Sequence, residues 1–421
     1  MDKLLIKGPS KLVGKVKVSG SKNSALPIMA ACLLTKERCV IRNVPNLSDI
    51  RTMARLLQRL GAKVDFHDST VTIEAGNFQG NTADYKFVKI MRASICVLGP
   101  LLARQKEAKV SFPGGCIIGP RPVDLHIKGL KALGADVDVS HGYIIAKAKQ
   151  LKGADMYLGG SFGSSVLATG NIMMAATLAK GTTVIENAAS EPEVVDLAEM
   201  LIKMGAKIKG HRTHIIEVEG VSSLGGAEHS VIPDRIETGT FMIGAAITGG
   251  DITVEQAKCE HLGALIDKLQ AAGLLVIKKP NSVRVKAVRS IRPVDVVTLP
   301  FPGFPTDLQA QMTAMMCRAK GISIITEKIY PERFMHISEL NRMGADIILE
   351  GESAIIKGPK NMTGAPVMAS DLRASAALVL AGLVSKGVTE ISRIYHLDRG
   401  YERIEEKLSA LGANIWREKE K

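Results

Sequence analysis

Large aromatic side chains are scarce in this chain of 421 residues, where 9 Phe, 6 Tyr and 1 Trp make up only 4%. Proteins that grip single-stranded nucleic acid stack bases on such rings, so the net charge of +13 does not by itself indicate a nucleic-acid partner. The basic residues are also spread along the whole chain and form no tail. A small polyanionic ligand, together with solvated surface, accounts better for the charge. No stretch approaches about 18 uncharged apolar residues, so no membrane span is expected. Lys3, Lys7, Lys11, Lys15 and Lys17 interrupt the beginning of the chain, which leaves no apolar core for a secretion signal and makes the cytoplasm the expected compartment. Cys32, Cys39, Cys96, Cys116, Cys259 and Cys317 form no CxxC pair and have no His partner at zinc spacing, so no metal site is expected.

What the chain does have is repetition. An amphipathic stretch runs into a glycine and then into a β-prone run six times: LLQRLGAKVDF, LKALGADVDV, LIKMGAKIKG, LQAAGLLVIK, LNRMGADIIL and LSALGANIWR. Their glycines, Gly61, Gly134, Gly205, Gly273, Gly344 and Gly412, recur at about 70 residues, the length of one supersecondary unit. Each copy also holds a second helical stretch that is small and apolar all round, at 21–34, 91–103, 164–179, 235–248, 306–319 and 371–385. Such helices are buried on most sides. The expected unit is strand, buried helix, strand, amphipathic helix, glycine and one or two strands. The fold class is therefore α/β, with helices inside, sheets outside and three units per domain.

Lys22, Arg92, Arg235 and Arg373 stand near starts of these buried helices, with Ser165 and Gln309 in the remaining copies. A cation at a helix N-terminus is unfavourable, so the pattern points to a bound anion, with snorkelling to solvent as the alternative.

Function is best sought where the repeat is broken. The segment SFPGGCIIGPRPVDL (111–125) puts Cys116 in a Gly-Pro loop five residues from Arg121. Nearby cations lower a thiol pKa and suit it to nucleophilic or acid chemistry, although Gly-Cys loops also occur as tight turns. In LPFPGFPTDLQAQ, three prolines deliver Asp307 to a helix start, where it fits either a cap or a functional carboxylate. Asp234 and Asp371 sit similarly and are expected to be caps. Arg399 precedes the last amphipathic helix, and GGSFGSSVLATGN (159–171) is a Gly/Ser-rich loop able to cradle phosphate.

GSKNSALP, MRAS, PGGCIIGPRPVDLH, PDRIETGT, FPTDLQAQ, RFMHISEL, DLRASAALVLAG and RIYHLDRGYERI together resemble the enolpyruvyl transferase family, specifically its UDP-N-acetylglucosamine 1-carboxyvinyltransferase branch. The resemblance spans the chain from Met1 to about Glu418. The branch acting on shikimate 3-phosphate lacks the Gly-Gly-Cys loop. The resemblance implies a two-domain inside-out α/β barrel, with one domain at 22–229, the other formed from 1–21 and 230–421, and the active site in the cleft between them. It implies transfer of the enolpyruvyl group of phosphoenolpyruvate to the 3′-hydroxyl of UDP-N-acetylglucosamine with release of phosphate, the first committed step of peptidoglycan synthesis. It needs no metal or organic cofactor and implies sensitivity to fosfomycin.

By the same resemblance, Cys116 supplies a proton, Asp307 accepts one, and Lys22, Arg121 and Arg399 clamp phosphoenolpyruvate. Asn23, Arg92, Arg121, Pro122, Val123, Asp124, Leu125, Asp307 and Ile329 surround the nucleotide sugar, joined by Gly163, Ser164, Ser165 and Val166, while Arg373 completes the substrate-binding set. One position departs from the family pattern: Leu167 stands where a glycine is usual, in a loop about three residues longer, which removes a close backbone approach.

Overall fold

All six repeat glycines are left-handed, with φ between 84° (Gly134) and 105° (Gly61). Each ends an amphipathic helix: Ser48–Leu60, Asp124–Ala132, Pro192–Lys203, Gly263–Ala271, His336–Arg342 and Ile404–Ala410. In five of them the residue after the glycine donates back to a carbonyl five positions earlier, as Ala62 N does to Leu57 O at 3.0 Å and Ala206 N to Leu201 O at 2.9 Å. This satisfies carbonyls that the helix end would otherwise leave without donors. At Gly205 a Cβ would meet no atom within 4 Å, so any cost of adding one comes from φ alone. Gly205→Ala is therefore expected to destabilise the protein by about 1–2 kcal/mol. An unchanged urea midpoint would show that this turn can relax.

The computed structural model describes residues 2–76, 78–112, 123–160 and 163–419. They divide into two compact units, one containing 20–112 with 123–232 and the other 2–19 with 233–419. Among the described residues each unit has three four-stranded sheets, and many of their strands, such as Arg38–Arg42 and Ile215–Glu219, alternate buried residues with more exposed ones. The buried helices lie inside the sheets. In the second unit, Arg235–Ile247, Gln309–Met316 and Leu372–Val384 pack against one another. In the first unit, Leu98–Gln105 packs on Val166–Ala176, and Lys22–Ala31 packs on the 3₁₀ helix Arg92–Val97. The stretch expected as one helix over 91–103 is thus a 3₁₀ segment followed by an α-helix, with Pro100 in the first turn of the latter, where a missing N–H costs nothing.

Three strands reach their sheets from far along the chain. Among the described residues the sixth repeat has one strand after its glycine, Ile415–Lys419, and Asp2–Gly8 pairs with it antiparallel, with Ile6 opposite Ile415. Val13–Lys17 pairs in parallel with Asp251–Glu255 of the fourth repeat, and Glu228–Ser230 pairs in parallel with Arg38–Arg42 of the first. Among the described residues no helix is long and apolar enough to cross a membrane.

Candidate active site

Within the second unit, the proline-rich segment leads into a single 3₁₀ turn, Thr306–Leu308, that opens the Gln309–Met316 helix. Asp307 lies in this turn and does not cap the helix. Arg333 Nη1 donates to its Oδ1 at 2.8 Å, and Arg373 Nη2 donates to its Oδ2 at 2.9 Å. The capping alternative for Asp307 therefore gives way, while Asp234 and Asp371 do cap, accepting from Ile236 N and Glu237 N and from Arg373 N and Ala374 N. Burial alone would raise the Asp307 pKa, but the Arg373 and Arg333 guanidiniums override it and hold the carboxyl well below its usual range. Both arginines are buried, so little water screens these pairs.

A polar network lies under the pair. Gln311 Nε2 donates to Asp307 O at 3.0 Å and reaches Thr240 Oγ1 and Tyr401 Oη at 3.2 Å each. The Arg373 guanidinium lies over the Tyr401 ring at 5.4 Å. Gln309 is fully buried, and its amide has no hydrogen-bond partner among the described residues at either end. Ile329 N donates to Glu327 Oε1 at 2.9 Å, which places Ile329 in a turn tied to the Asp307 segment. Arg399 ends the 3₁₀ helix Ile394–Arg399. Burial, with the charges of Arg399 and Arg393 behind it, lowers the pKa of the neighbouring His396.

In the first unit, Lys22 opens the first buried helix, with Asn23 next to it. Its Nζ donates to Asp49 Oδ2 at 3.1 Å, with both side chains almost out of solvent. Arg92 begins the Arg92–Val97 segment near His126. Val123 and Leu125 are buried and Asp124 is exposed, in the first turn of the following helix. Gly159–Gly160 and Gly163–Ser164 pair as a short antiparallel ribbon, and a Cβ on Gly160 would lie 3.5 Å from Leu125 Cδ1. Ser165 caps the Val166–Ala176 helix through a bond from Ala168 N. Leu167 is in the first helical turn and packs against the core, so the backbone freedom of this segment resides in the glycine ribbon before it. The structure thus brings Arg92, Leu125 and the ribbon into one unit, and Asp307, Ile329, Arg373 and Arg399 into the other. Cys116, Arg121 and Pro122 lie outside the described residues.

Arg333, Asp49 and His126 were not singled out from the sequence. Arg333 and His126 lie inside the motifs RFMHISEL and PVDLH, and that was their only signal. His126 Nδ1 faces Asn171 Nδ2 at 3.0 Å. Asn171 Oδ1 accepts from Gly99 N at 2.9 Å, which fixes Nδ2 as the donor and His126 Nδ1 as the acceptor. The imidazole is thereby held neutral, and burial with the charge of Arg92 takes its pKa to about 3.

Buried helices sheathed by repeated four-stranded sheets, with cations and a paired carboxylate at the helix starts, define an enolpyruvyl-transferase fold. The chain matches the enolpyruvyl transferase NikO from Streptomyces tendae with a TM-score of 0.90 at 22% identity, covering 99% of this chain and 98% of that one. It matches EPSP synthase from Acinetobacter baumannii with a TM-score of 0.75 at 19% identity, over the whole of both chains. A family model described as EPSP synthase (3-phosphoshikimate 1-carboxyvinyltransferase) matches residues 6–408. The UDP-N-acetylglucosamine 1-carboxyvinyltransferase of Geotalea uraniireducens (strain Rf4) is 57% identical over 420 residues, covering 100% of both chains. That of Methylacidiphilum infernorum (isolate V4) is 54% identical over 417 residues, covering 99% of both. The chain belongs to the UDP-N-acetylglucosamine 1-carboxyvinyltransferase family, within the enolpyruvyl transferases.

Proposed function

We propose that this enzyme transfers the enolpyruvyl group of phosphoenolpyruvate to the 3′-hydroxyl of UDP-N-acetylglucosamine and releases phosphate, opening peptidoglycan synthesis. The observation that carries this reading is the Asp307 carboxylate, held between Arg333 and Arg373 at a buried helix start, in a chain 57% identical along its whole length to a relative of that name. In the addition step a proton reaches the methylene carbon, the sugar oxygen bonds to the neighbouring carbon, and the hydroxyl proton leaves. Elimination then removes a methyl proton and expels phosphate. Cys116 donates the first proton and Asp307 accepts that of the hydroxyl. Lys22, Arg121 and Arg399 bind the phosphate and carboxylate of phosphoenolpyruvate, with the arginines suited to bidentate contacts.

Arg92, Asn23, residues 121–125, the ribbon leading to Val166, and Ile329 hold the nucleotide sugar. A carboxylate paired with two guanidiniums is a weak base. An anionic substrate that draws one guanidinium away raises its proton affinity at the moment it is needed.

Phosphate release from the two substrates tests the reading. Wild type turns over, Cys116→Ala loses about 10²–10⁴-fold, the range for a general acid, and Cys116→Asp retains measurable turnover because a carboxylic acid still donates. Fosfomycin, an epoxide that alkylates thiols, inactivates wild type but not Cys116→Asp. Absence of phosphate release by wild type overturns the function, and full activity of Cys116→Ala overturns the role of the thiol.

A further inference from the structure

We propose that Glu327 is a positioning residue that sets both the nucleotide-sugar turn and the Arg333 contact on Asp307, through the hydroxyl of Thr306. Glu327 follows the strand Gly321–Thr326 and is fully buried. Among the described residues it forms no ion pair with a Lys or Arg side chain. Its four partners are all donors. Oε1 accepts from Thr298 Oγ1 at 2.7 Å, Ile329 N at 2.9 Å and Tyr330 N at 3.0 Å, while Oε2 accepts from Thr306 Oγ1 at 2.9 Å. An ionised carboxylate buried without a cation is costly, and an apolar or amide side chain would be cheaper unless the direction of these bonds matters.

The direction follows from the donor inventory. A carboxylate only accepts, so the single hydrogen of Thr306 points at Glu327 and its lone pairs face away. Arg333 Nη1 donates to that oxygen at 2.9 Å and, with its other hydrogen, to Asp307 Oδ1 at 2.8 Å. Thr298 repeats the pattern, donating to Glu327 and accepting from Lys328 N at 2.9 Å. Three successive backbone N–H groups, of Lys328, Ile329 and Tyr330, are pinned by the same carboxylate, directly or through Thr298. Glu327 thus acts on two ends at once, holding the Ile329 turn by Oε1 and the guanidinium on the base by Oε2.

This inference rests on Asp307 being the base, and the two ends can be separated experimentally. In Glu327→Gln the amide oxygen can keep the Oε1 contacts, while its NH₂ faces Thr306 and forces the hydroxyl hydrogen to turn away. The expected result is a kcat lower by about tenfold with the KM for UDP-N-acetylglucosamine within about twofold. Glu327→Ala loses both ends, and its KM rises by about tenfold as well. Thr306→Val lowers kcat as Glu327→Gln does, Thr306→Ser retains it, and the Glu327→Gln/Thr306→Val double variant is no slower than either single, because both break one relay.

Additive losses in the double variant, or wild-type kinetics in Glu327→Gln, overturn the relay. A lowered melting temperature with unchanged kcat and KM assigns Glu327 a purely structural role and overturns it equally. If Glu327→Ala does not fold, Glu327→Gln and Thr306→Val still decide. Should Asp307→Asn prove fully active, the reading of Asp307 fails. An inactive Asp307→Asn beside a normal Glu327→Gln refutes the relay alone.

Discussion

Asp307→Asn is expected to lower kcat for phosphate release by about 10²–10⁴-fold, with the Kd for UDP-N-acetylglucosamine within a fewfold of wild type. Asparagine keeps the size of the side chain and one acceptor oxygen, but its NH₂ meets one of the two guanidiniums donor to donor. Turnover is lost because no group of sufficient basicity is left beside the acceptor hydroxyl. Unchanged kinetics would remove Asp307 as the base.

The same substitution costs stability, since Arg333 or Arg373 is left buried without its counter-charge. For a fully buried pair the loss is roughly 3–5 kcal/mol, and the partial exposure of Asp307 brings it below that range. The folded-state pKa of Asp307 lies below its unfolded value. The pair's contribution is therefore complete above the unfolded carboxylate pKa of about 4, and fades as pH falls through the folded one. Wild type and variant should differ most at neutral pH and converge in strong acid.

The second large effect is acid sensitivity centred on His126. Its pKa falls to about 3 in the folded protein through burial and the charge of Arg92, against about 6.5 when unfolded. Below 6.5 the unfolded chain binds a proton that the folded one refuses, so stability present above that pH is lost at about 1.4 kcal/mol per pH unit. Between pH 6.5 and 5 this single group should cost about 2 kcal/mol. Urea unfolding of wild type and His126→Asn at the two pH values isolates it. The variant starts less stable, having lost the Asn171 contact, but its stability should fall by about 2 kcal/mol less. Equal slopes would show that His126 protonates without cost.

The helical repeat was legible in the sequence because its markers are local. A left-handed glycine after an amphipathic stretch and an apolar helix interior are both set by neighbours within one turn. The sheets were less legible, since Asp2–Gly8 completes a sheet with residues about four hundred positions away, and nothing in its sequence names that partner. The three aspartates at helix starts show the same boundary. Asp234, Asp307 and Asp371 look alike in sequence, and only the arrival of Arg333 and Arg373 in space separates an ion-paired carboxylate from two caps. Glu327 ends an ordinary β-prone run, where a charged residue signals nothing until its four donors are seen. Leu167 stands where a glycine is usual and was expected to remove a close backbone approach. In the structure it lies in the first turn of the helix Val166–Ala176, directly after the paired glycine ribbon.

Because Asp2–Gly8 lies between the strands Gly387–Ser392 and Ile415–Lys419, the unit it belongs to cannot finish assembling during synthesis until its last residues leave the ribosome. The unit holding residues 20–112 and 123–232 has all its described strands once residue 230 has emerged. During synthesis the described strands of the first unit can therefore all be in place while Asp2–Gly8 still lacks both of its neighbours.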